Sequence, residues 1–77
     1  MNFEEKLIRY MASKMLQRKY LAAKRKLPSE KQLAFYLNQA VDEIKNRYKQ
    51  FSLVRRHADD GLLTPLIREI VDQIHIH

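Results

Sequence analysis

Lysine and arginine are the residues with the clearest chemical potential in this sequence. Residues 1–26 hold eight of them against two acids and residues 27–56 hold six against three, whereas residues 57–77 hold one against four. Such cations neutralise phosphates and need little other site chemistry to do so. The alternative is that they only keep a small helical domain in solution. If the first two helices are antiparallel, nine cations can share one side, and these are the candidate nucleic-acid-binding residues: Arg18, Lys19, Lys24, Arg25, Lys26, Lys45, Lys49, Arg55 and Arg56.

Two adjacent aromatic residues, Phe35 and Tyr36, interrupt the helical pattern around them. Phe35 falls on the polar arc, near Asn38 and Asp42, and should therefore point away from the main apolar stripe. It can cover the connector or the third helix, or it can be an exposed aromatic anchor for a partner. We take Phe35 and Tyr36 as candidate partner-binding residues.

Patterns typical of catalysis do not occur in the sequence. It contains no Gly-rich phosphate loop, no G-x-S-x-G and no H-E-x-x-H. His57, Asp59 and Asp60, with His75 and His77, could ligate a divalent metal. However, H-A-D-D-G is ordinary turn composition, and the last two histidines lie at the terminus. We expect a protein that is not an enzyme, with no metal, no cofactor and no small-molecule substrate.

Length and composition favour one small helical domain, residues 1–77. A single glycine and two prolines leave little material for turns, and the absence of cysteine excludes a disulfide framework. No apolar run approaches the roughly 20 residues of a membrane span, so we expect no membrane partner and a cytoplasmic location.

The central helix, about residues 29–52, has the clearest boundaries. Ser29 and Gln32 form a capping-box pattern, and Pro28 separates the helix from what precedes it. Its apolar face spans an arc of about 100° and comprises Leu33, Leu37, Ala40, Val41, Ile44, Tyr48 and Phe51.

Two further helices complete an all-α, three-helix fold. The first, about residues 2–26, has an apolar pattern that is clear to Met15 and weaker beyond it. After a connector at 53–63, the third helix is predicted at about 64–76, with Thr64 as N-cap and Pro65 at the first helical position. Because this helix is too short to cover the other two, we expect a homodimer in which the long helices pair across a two-fold axis.

The segment L-P-S-E-K-Q-L-A, Leu27–Ala34, resembles the start of the helix-turn-helix of GntR-type repressors. That family continues into a glycine-containing turn and a recognition helix, whereas here Leu37 is followed by N-Q-A-V without glycine. The same stretch also resembles the central helix of Hha-type nucleoid modulators, which are small partners of a DNA-binding protein. Leu33-Ala34-Phe35-Tyr36 and Asp42 carry that resemblance after a one-residue shift.

The charge distribution favours a small, basic, non-enzymatic binding module. We expect it to be regulatory and to act on or near nucleic acid through phosphate contacts, with DNA and RNA both open. The alternative is a protein–protein adaptor or inhibitor whose basic and aromatic surface docks on an acidic protein partner.

Overall fold

The protein folds into a small helical bundle. A computed structural model describes residues 3–47, 56 and 58–74. Its helices are α1, Phe3–Ala22; α2, Glu30–Arg47; and α3, Leu63–Asp72. These helices hold well over half of the chain, and the described residues contain no strand. The prediction of an all-α, three-helix fold is confirmed, with a third helix about half as long as the second.

Polar contacts along their length show that α1 and α2 are antiparallel. Lys45 Nζ lies 3.1 Å from Glu5 Oε1 at one end of the pair. Further along, Arg9 Nη2 donates a 2.6 Å hydrogen bond to Asn38 Oδ1. The basic C-terminal part of α1 therefore lies beside the start of α2, and Lys45 lies near the start of α1.

The short helix α3 packs against both long helices and runs antiparallel to α2. Arg47 Nη2 lies 3.7 Å from Glu69 Oε1. At the other end, Lys19 of α1 donates a hydrogen bond to the carbonyl oxygen of Ile74, just beyond α3. These contacts place the C-terminal ends of α1 and α3 together.

The core lies where the three helices meet. In α2, Ala40, Val41 and Ile44 are buried as predicted, whereas Leu33 and Leu37 are half-buried. The predicted core positions Tyr48 and Phe51 lie outside the described residues. The buried side chains are Ile8, Ala12, Leu16, Tyr20, Tyr36, Ala40, Val41, Ile44, Leu63, Ile67, Ile70 and Val71.

The buried face of α1 differs from the predicted one. The apolar pattern predicted a face comprising Phe3, Leu7, Ile8, Met11, Met15 and Ala22. Ile8 is buried as predicted, whereas Leu7, Met11 and Met15 are half-buried at the margin of the core and Ala22 is exposed. The fully buried residues recur every four positions and continue to Leu16 and Tyr20. Because α1 contacts both α2 and α3, its buried arc lies between them, and it extends along the basic second half of the helix.

The start of α2 confirms the predicted cap in part. Ser29 Oγ accepts a 3.3 Å hydrogen bond from the backbone N–H of Gln32, the N3 residue. In the described part of the chain, no hydrogen bond from the N–H of Ser29 to the side chain of Gln32 completes the capping box, and the Nε2 of Gln32 donates to the hydroxyl of Tyr36 at 3.2 Å. The helix then continues without a break through residues 38–41. The turn that a GntR-type helix-turn-helix requires is therefore not formed.

The first helix ends earlier than predicted, at Ala22 rather than near residue 26. The N–H of Arg25 bonds to the carbonyl of Tyr20 at 3.0 Å, and the N–H of Lys24 bonds to the carbonyl of Leu21 at 3.0 Å. These two bonds define a Schellman motif. Its left-handed position is occupied by Lys24, whose φ is 55°, and the cations at 24–26 consequently project from a turn.

The third helix begins at Leu63, close to the predicted start at about residue 64, and ends at Asp72, earlier than the predicted end at about residue 76. The prediction of Thr64 as N-cap is wrong. The N-cap is Leu62, which makes no side-chain cap hydrogen bond. Leu63, the first residue of the helix, is only 1% exposed and belongs to the core. Pro65 still lies in the first turn, where backbone N–H groups have no partner within the helix.

The connector contains the predicted glycine turn. Residues 56, 58 and 59 are helical, and the N–H of Gly61 bonds to the carbonyl of Ala58 at 3.1 Å. Gly61 has a φ of 72°, which a residue without Cβ adopts at no steric cost. Within the described ranges, no helix has the length and apolarity needed to cross a membrane.

Candidate nucleic-acid interface

The nine predicted phosphate-binding cations do not form one continuous surface. Lys49 and Arg55 lie outside the described residues. Lys45 is at the end of the bundle where α1 begins, roughly 20 Å along α1 from Arg18 at 1.5 Å per residue. Arg56 is exposed and precedes α3, at the opposite end of that helix from Lys19. The remaining predicted cations lie at the C-terminal end of α1.

Lys19 has a structural partner rather than a free ammonium group. Its Nζ donates hydrogen bonds to the carbonyl oxygens of Val71 at 3.0 Å, Asp72 at 3.2 Å and Ile74. These carbonyls close α3, and a cation there is stabilised by the partial negative charge of a helix C-terminus. Lys19 therefore ties the end of α3 to α1.

Lys45 is likewise engaged. Its ammonium pairs with Glu5, whose side chain is only 20% exposed, and the pair joins α2 to the first turn of α1. Exposed ion pairs of this kind contribute little to stability. The pair nevertheless reduces the charge that Lys45 presents to an anion.

A compact group of exposed cations remains, which we call the basic end: Arg18, Lys24, Arg25, Lys26 and Arg68. Arg18 of α1 and Arg68 of α3 line one cleft of about 340 Å³, with Lys19 and Val71 between the two helices. Asp72 lines the same cleft. Lys24, Arg25 and Lys26 follow directly from the end of α1.

Arg68 is a member of the basic end that sequence reasoning did not identify. It is the single lysine or arginine in residues 57–77, a segment with four acidic residues, so the distribution of charge along the sequence did not indicate that Arg68 belongs to a basic surface. Only the packing of α3 beside α1 brings it near Arg18. The available clue was its place on the polar arc of α3, opposite Leu63, Ile67 and Ile70.

Most cations of the basic end are not neutralised within the described residues. The ion pairs found there join Lys45 to Glu5, and Arg47 to Glu43 and Glu69. In that part of the chain, Arg18, Lys24, Lys26 and Arg68 form no ion pair. Like charges held together without partners produce a local positive potential that attracts anions.

The two aromatic candidates have different environments. Phe35 is 59% exposed, and its ring packs edge-on against Tyr36 at a centroid distance of 6.0 Å. Tyr36 is only 6% exposed and belongs to the core. Tyr36 therefore has little surface to offer a partner, whereas Phe35 is accessible, and the partner-binding role of both residues stays a prediction.

Tyr36 belongs to a hydrogen-bonded group beneath the basic end. Its hydroxyl accepts from Gln32 and is hydrogen-bonded to Tyr20, which is 4% exposed. Burial, together with the hydrogen bond to Tyr36, raises the pKa of Tyr20 above its ordinary value of 10.0, and nearby Arg25 opposes the shift. The two tyrosines thus form a buried, hydrogen-bonded contact between α1 and α2.

Potential metal ligands are dispersed in the described part of the chain. No group of three or more His, Asp, Glu or Cys side chains converges there. Asp59 and Asp60 are exposed, and the three histidines lie outside the described ranges. The expectation of a protein without metal or catalytic residues stays a prediction.

Comparisons with known proteins give no relative. No family model matches the chain, and no similar protein was found among curated proteins or solved structures. Neither the GntR-type nor the Hha-type resemblance gains support from these comparisons. Functional inference therefore depends on the geometry and charge of the chain.

Proposed function

We propose that the protein is a small, non-enzymatic nucleic-acid-binding module with a regulatory role, and that the basic end contacts phosphates. The observation that carries this proposal is the exposure of Arg18, Lys24, Lys26 and Arg68 on one end of the bundle without ion-pair partners in the described residues. Unpaired cations of this density attract a polyanion before contact and neutralise its phosphates on contact.

Two helices hold the guanidinium groups of this surface in place. Arg18 projects from α1 and Arg68 from α3, and the cleft between them is fixed by the hydrogen bonds of Lys19 to the last carbonyls of α3. Lys19 is then a positioning residue: it keeps Arg68 beside Arg18 and does not itself contact phosphate. An arginine held by a rigid helix loses less side-chain freedom on binding than one on a mobile segment.

Binding of this kind distinguishes bases weakly. Base readout requires polar side chains on an element that enters a groove, and α2 lacks the turn that would present a recognition helix. Phosphate contacts set position and affinity but carry no sequence information. We therefore expect similar affinities for unrelated sequences of the same length.

Salt dependence tests the proposal. Fluorescence anisotropy of a labelled duplex should be measured at several salt concentrations. The logarithm of the binding constant should fall with the logarithm of the salt concentration with a slope no steeper than about −4.5, since each of five phosphate contacts contributes roughly −0.9. A single-stranded RNA should give about −0.7 for each contact. An absence of salt-dependent binding at micromolar protein concentrations would contradict the proposal.

The second candidate is an adaptor that docks on an acidic protein. It is favoured by Phe35, an exposed aromatic residue of the kind that anchors protein interfaces. A labelled polyglutamate distinguishes the two functions in the same titration. Binding to polyglutamate at least as tight as to duplex DNA, and weakened by Phe35→Ala, would favour the adaptor.

A further inference from the structure

An open groove of about 450 Å³ lies between α2 and α3, on a side of the molecule that the proposed function does not use. Phe35, which is 59% exposed, and the half-buried Ile74 contribute apolar surface to it, and the buried side chains of Tyr36 and Ile70 also line it. The carboxylates of Asp42 and Glu43 also line it. Such a groove suits a ligand that combines an apolar side chain with neighbouring positive charge.

A surface with the complementary character lies at the turn after α1. Leu21 is 77% exposed and Leu27 is 57% exposed, and with Gln17 and Arg25 they line a depression of about 240 Å³. Lys24 and Lys26 stand between them in the sequence. We call this surface the leucine corner and define it as Leu21, Lys24, Arg25, Lys26 and Leu27.

The leucine corner cannot fill the groove of its own molecule. Leu21 lies about 160° around α1 from the middle of the arc that buries Ile8, Ala12, Leu16 and Tyr20. It therefore faces away from the bundle, whereas the groove lies between the other two helices. Any contact between these two surfaces must join two molecules.

We infer that the groove between α2 and α3 binds the leucine corner of a second copy of this chain, so that copies associate head to tail. Charge complementarity selects this occupant. Pairing two leucine corners would oppose Lys24 and Lys26 to themselves, and pairing two grooves would oppose Asp42 to itself, whereas Glu43 is paired with Arg47. A two-fold contact through either surface is therefore repulsive, and the heterologous contact is attractive.

The geometry of such a contact gives it a recognisable signature. A pair of molecules keeps one free groove on one copy and one free leucine corner on the other, so association continues beyond a dimer unless the chain of copies closes into a ring. The association should be weak because the two surfaces are small. It should also be sensitive to salt because it depends on exposed charges. This inference does not depend on the proposed function, because its test contains no nucleic acid.

Two variants, each blocking one surface, test the inference. Leu21→Gln with Lys26→Glu removes the apolar and cationic parts of the corner. Phe35→Gln with Asp42→Lys removes an apolar and an anionic part of the groove. Every altered residue is exposed, and the paired Glu43 is left intact. Leu62→Gln, at an exposed leucine outside both surfaces, and Lys6→Glu are the matched controls.

Sedimentation equilibrium at low salt, from about 10 μM to about 1 mM, supplies the measurement. The unaltered chain and both controls should gain mass with concentration, and each blocked variant should associate at least tenfold more weakly. An equimolar mixture of the two blocked variants should form a 1:1 complex that grows no further, because it retains one intact groove and one intact corner. A constant monomer mass for the unaltered chain, association of either blocked variant at full strength, or absence of the mixed complex would overturn the inference.

Discussion

Lys19 and Val71 are 52 positions apart, yet the ammonium of Lys19 donates a 3.0 Å hydrogen bond to the carbonyl oxygen of Val71. The same ammonium reaches the carbonyls of Asp72 and Ile74, so one α1 side chain closes the end of α3. This contact adds to the burial of Leu63, Ile67, Ile70 and Val71 in holding a 10-residue helix without a side-chain N-cap against α1 and α2. It also separates cations that build the fold from cations that remain available to bind.

Replacing Lys19 should lower the stability of the fold. Lys19→Gln should reduce the free energy of unfolding by about 1–2 kcal/mol, because the carbonyls of α3 lose a charged donor at a helix C-terminus. Arg18→Gln, one residue earlier and exposed, should change it by less than about 0.5 kcal/mol. Urea denaturation followed by circular dichroism measures both, and equal losses would contradict the role given to Lys19.

The left-handed residue at the end of α1 offers a stabilising substitution. Lys24 has a φ of 55°, where a side chain strains the backbone and glycine does not. Lys24→Gly should raise the free energy of unfolding by about 0.5–1 kcal/mol, measured by thermal or urea denaturation. Gly61→Ala is the converse control. No atom lies within 4 Å of an added Cβ there, but its φ of 72° should make the substitution destabilising. A loss of stability in Lys24→Gly would show that the Schellman motif is not what ends the helix.

The buried Tyr20 should make stability depend on pH in the alkaline range. The pKa of Tyr20 is raised in the folded state, so folding favours the neutral phenol. This contribution to stability is fully present below 10.0, the ordinary pKa, and is lost as pH rises through the higher folded value. Urea midpoints between about pH 8 and pH 11 should therefore fall more steeply for the unaltered chain than for Tyr20→Phe. Parallel pH curves for the two proteins would contradict the assignment.

Leu16 and Leu21 provide a matched test of the observed core face of α1. Leu16 is 1% exposed and Leu21 is 77% exposed on the same helix. Leu16→Ala should cost about 2–5 kcal/mol because it removes buried methyl groups and leaves a cavity. Leu21→Ala should cost less than about 0.5 kcal/mol, and the reverse order in urea denaturation would show that the helix is rotated relative to its neighbours.

The fold was predictable where a local signal sufficed. The N-cap hydrogen bond of Ser29 involves only residues 29–32. Ala40, Val41 and Ile44 are buried on one face of α2, and the helical period of the sequence alone identifies that face. The predictions failed where the environment of a residue is set by a helix that is distant in the sequence. Tyr36 breaks the local pattern but is buried because Tyr20 approaches it from another helix. For the same reason the reach of Lys19 to Val71 could not be inferred from either segment alone.

The candidate nucleic-acid interface was likewise predictable only in the part that depends on local sequence. The charge count located the basic C-terminal part of α1, including Arg18 and the cations after it. It could not separate Lys45, which pairs with Glu5, from cations without partners, and it could not place Arg68 near Arg18. Those distinctions depend on the packing of α3. The predicted two-fold dimer stays a prediction, and the head-to-tail contact inferred above gives it a competitor with a different stoichiometry.

Two single charge reversals on one helix test the phosphate-binding proposal most directly. Arg18→Glu lies in the basic end, and Lys6→Glu lies 12 residues earlier, roughly 18 Å along α1. Both residues are exposed and both substitutions change the net charge equally. Affinity for a labelled duplex, measured by anisotropy at fixed low salt with folding checked by circular dichroism, is the readout. We expect Arg18→Glu to weaken binding about tenfold or more and to reduce the magnitude of the salt slope by about 0.9, with Lys6→Glu close to the unaltered chain. Equal weakening by both reversals would show that only net charge matters, and that the basic end is not a binding site.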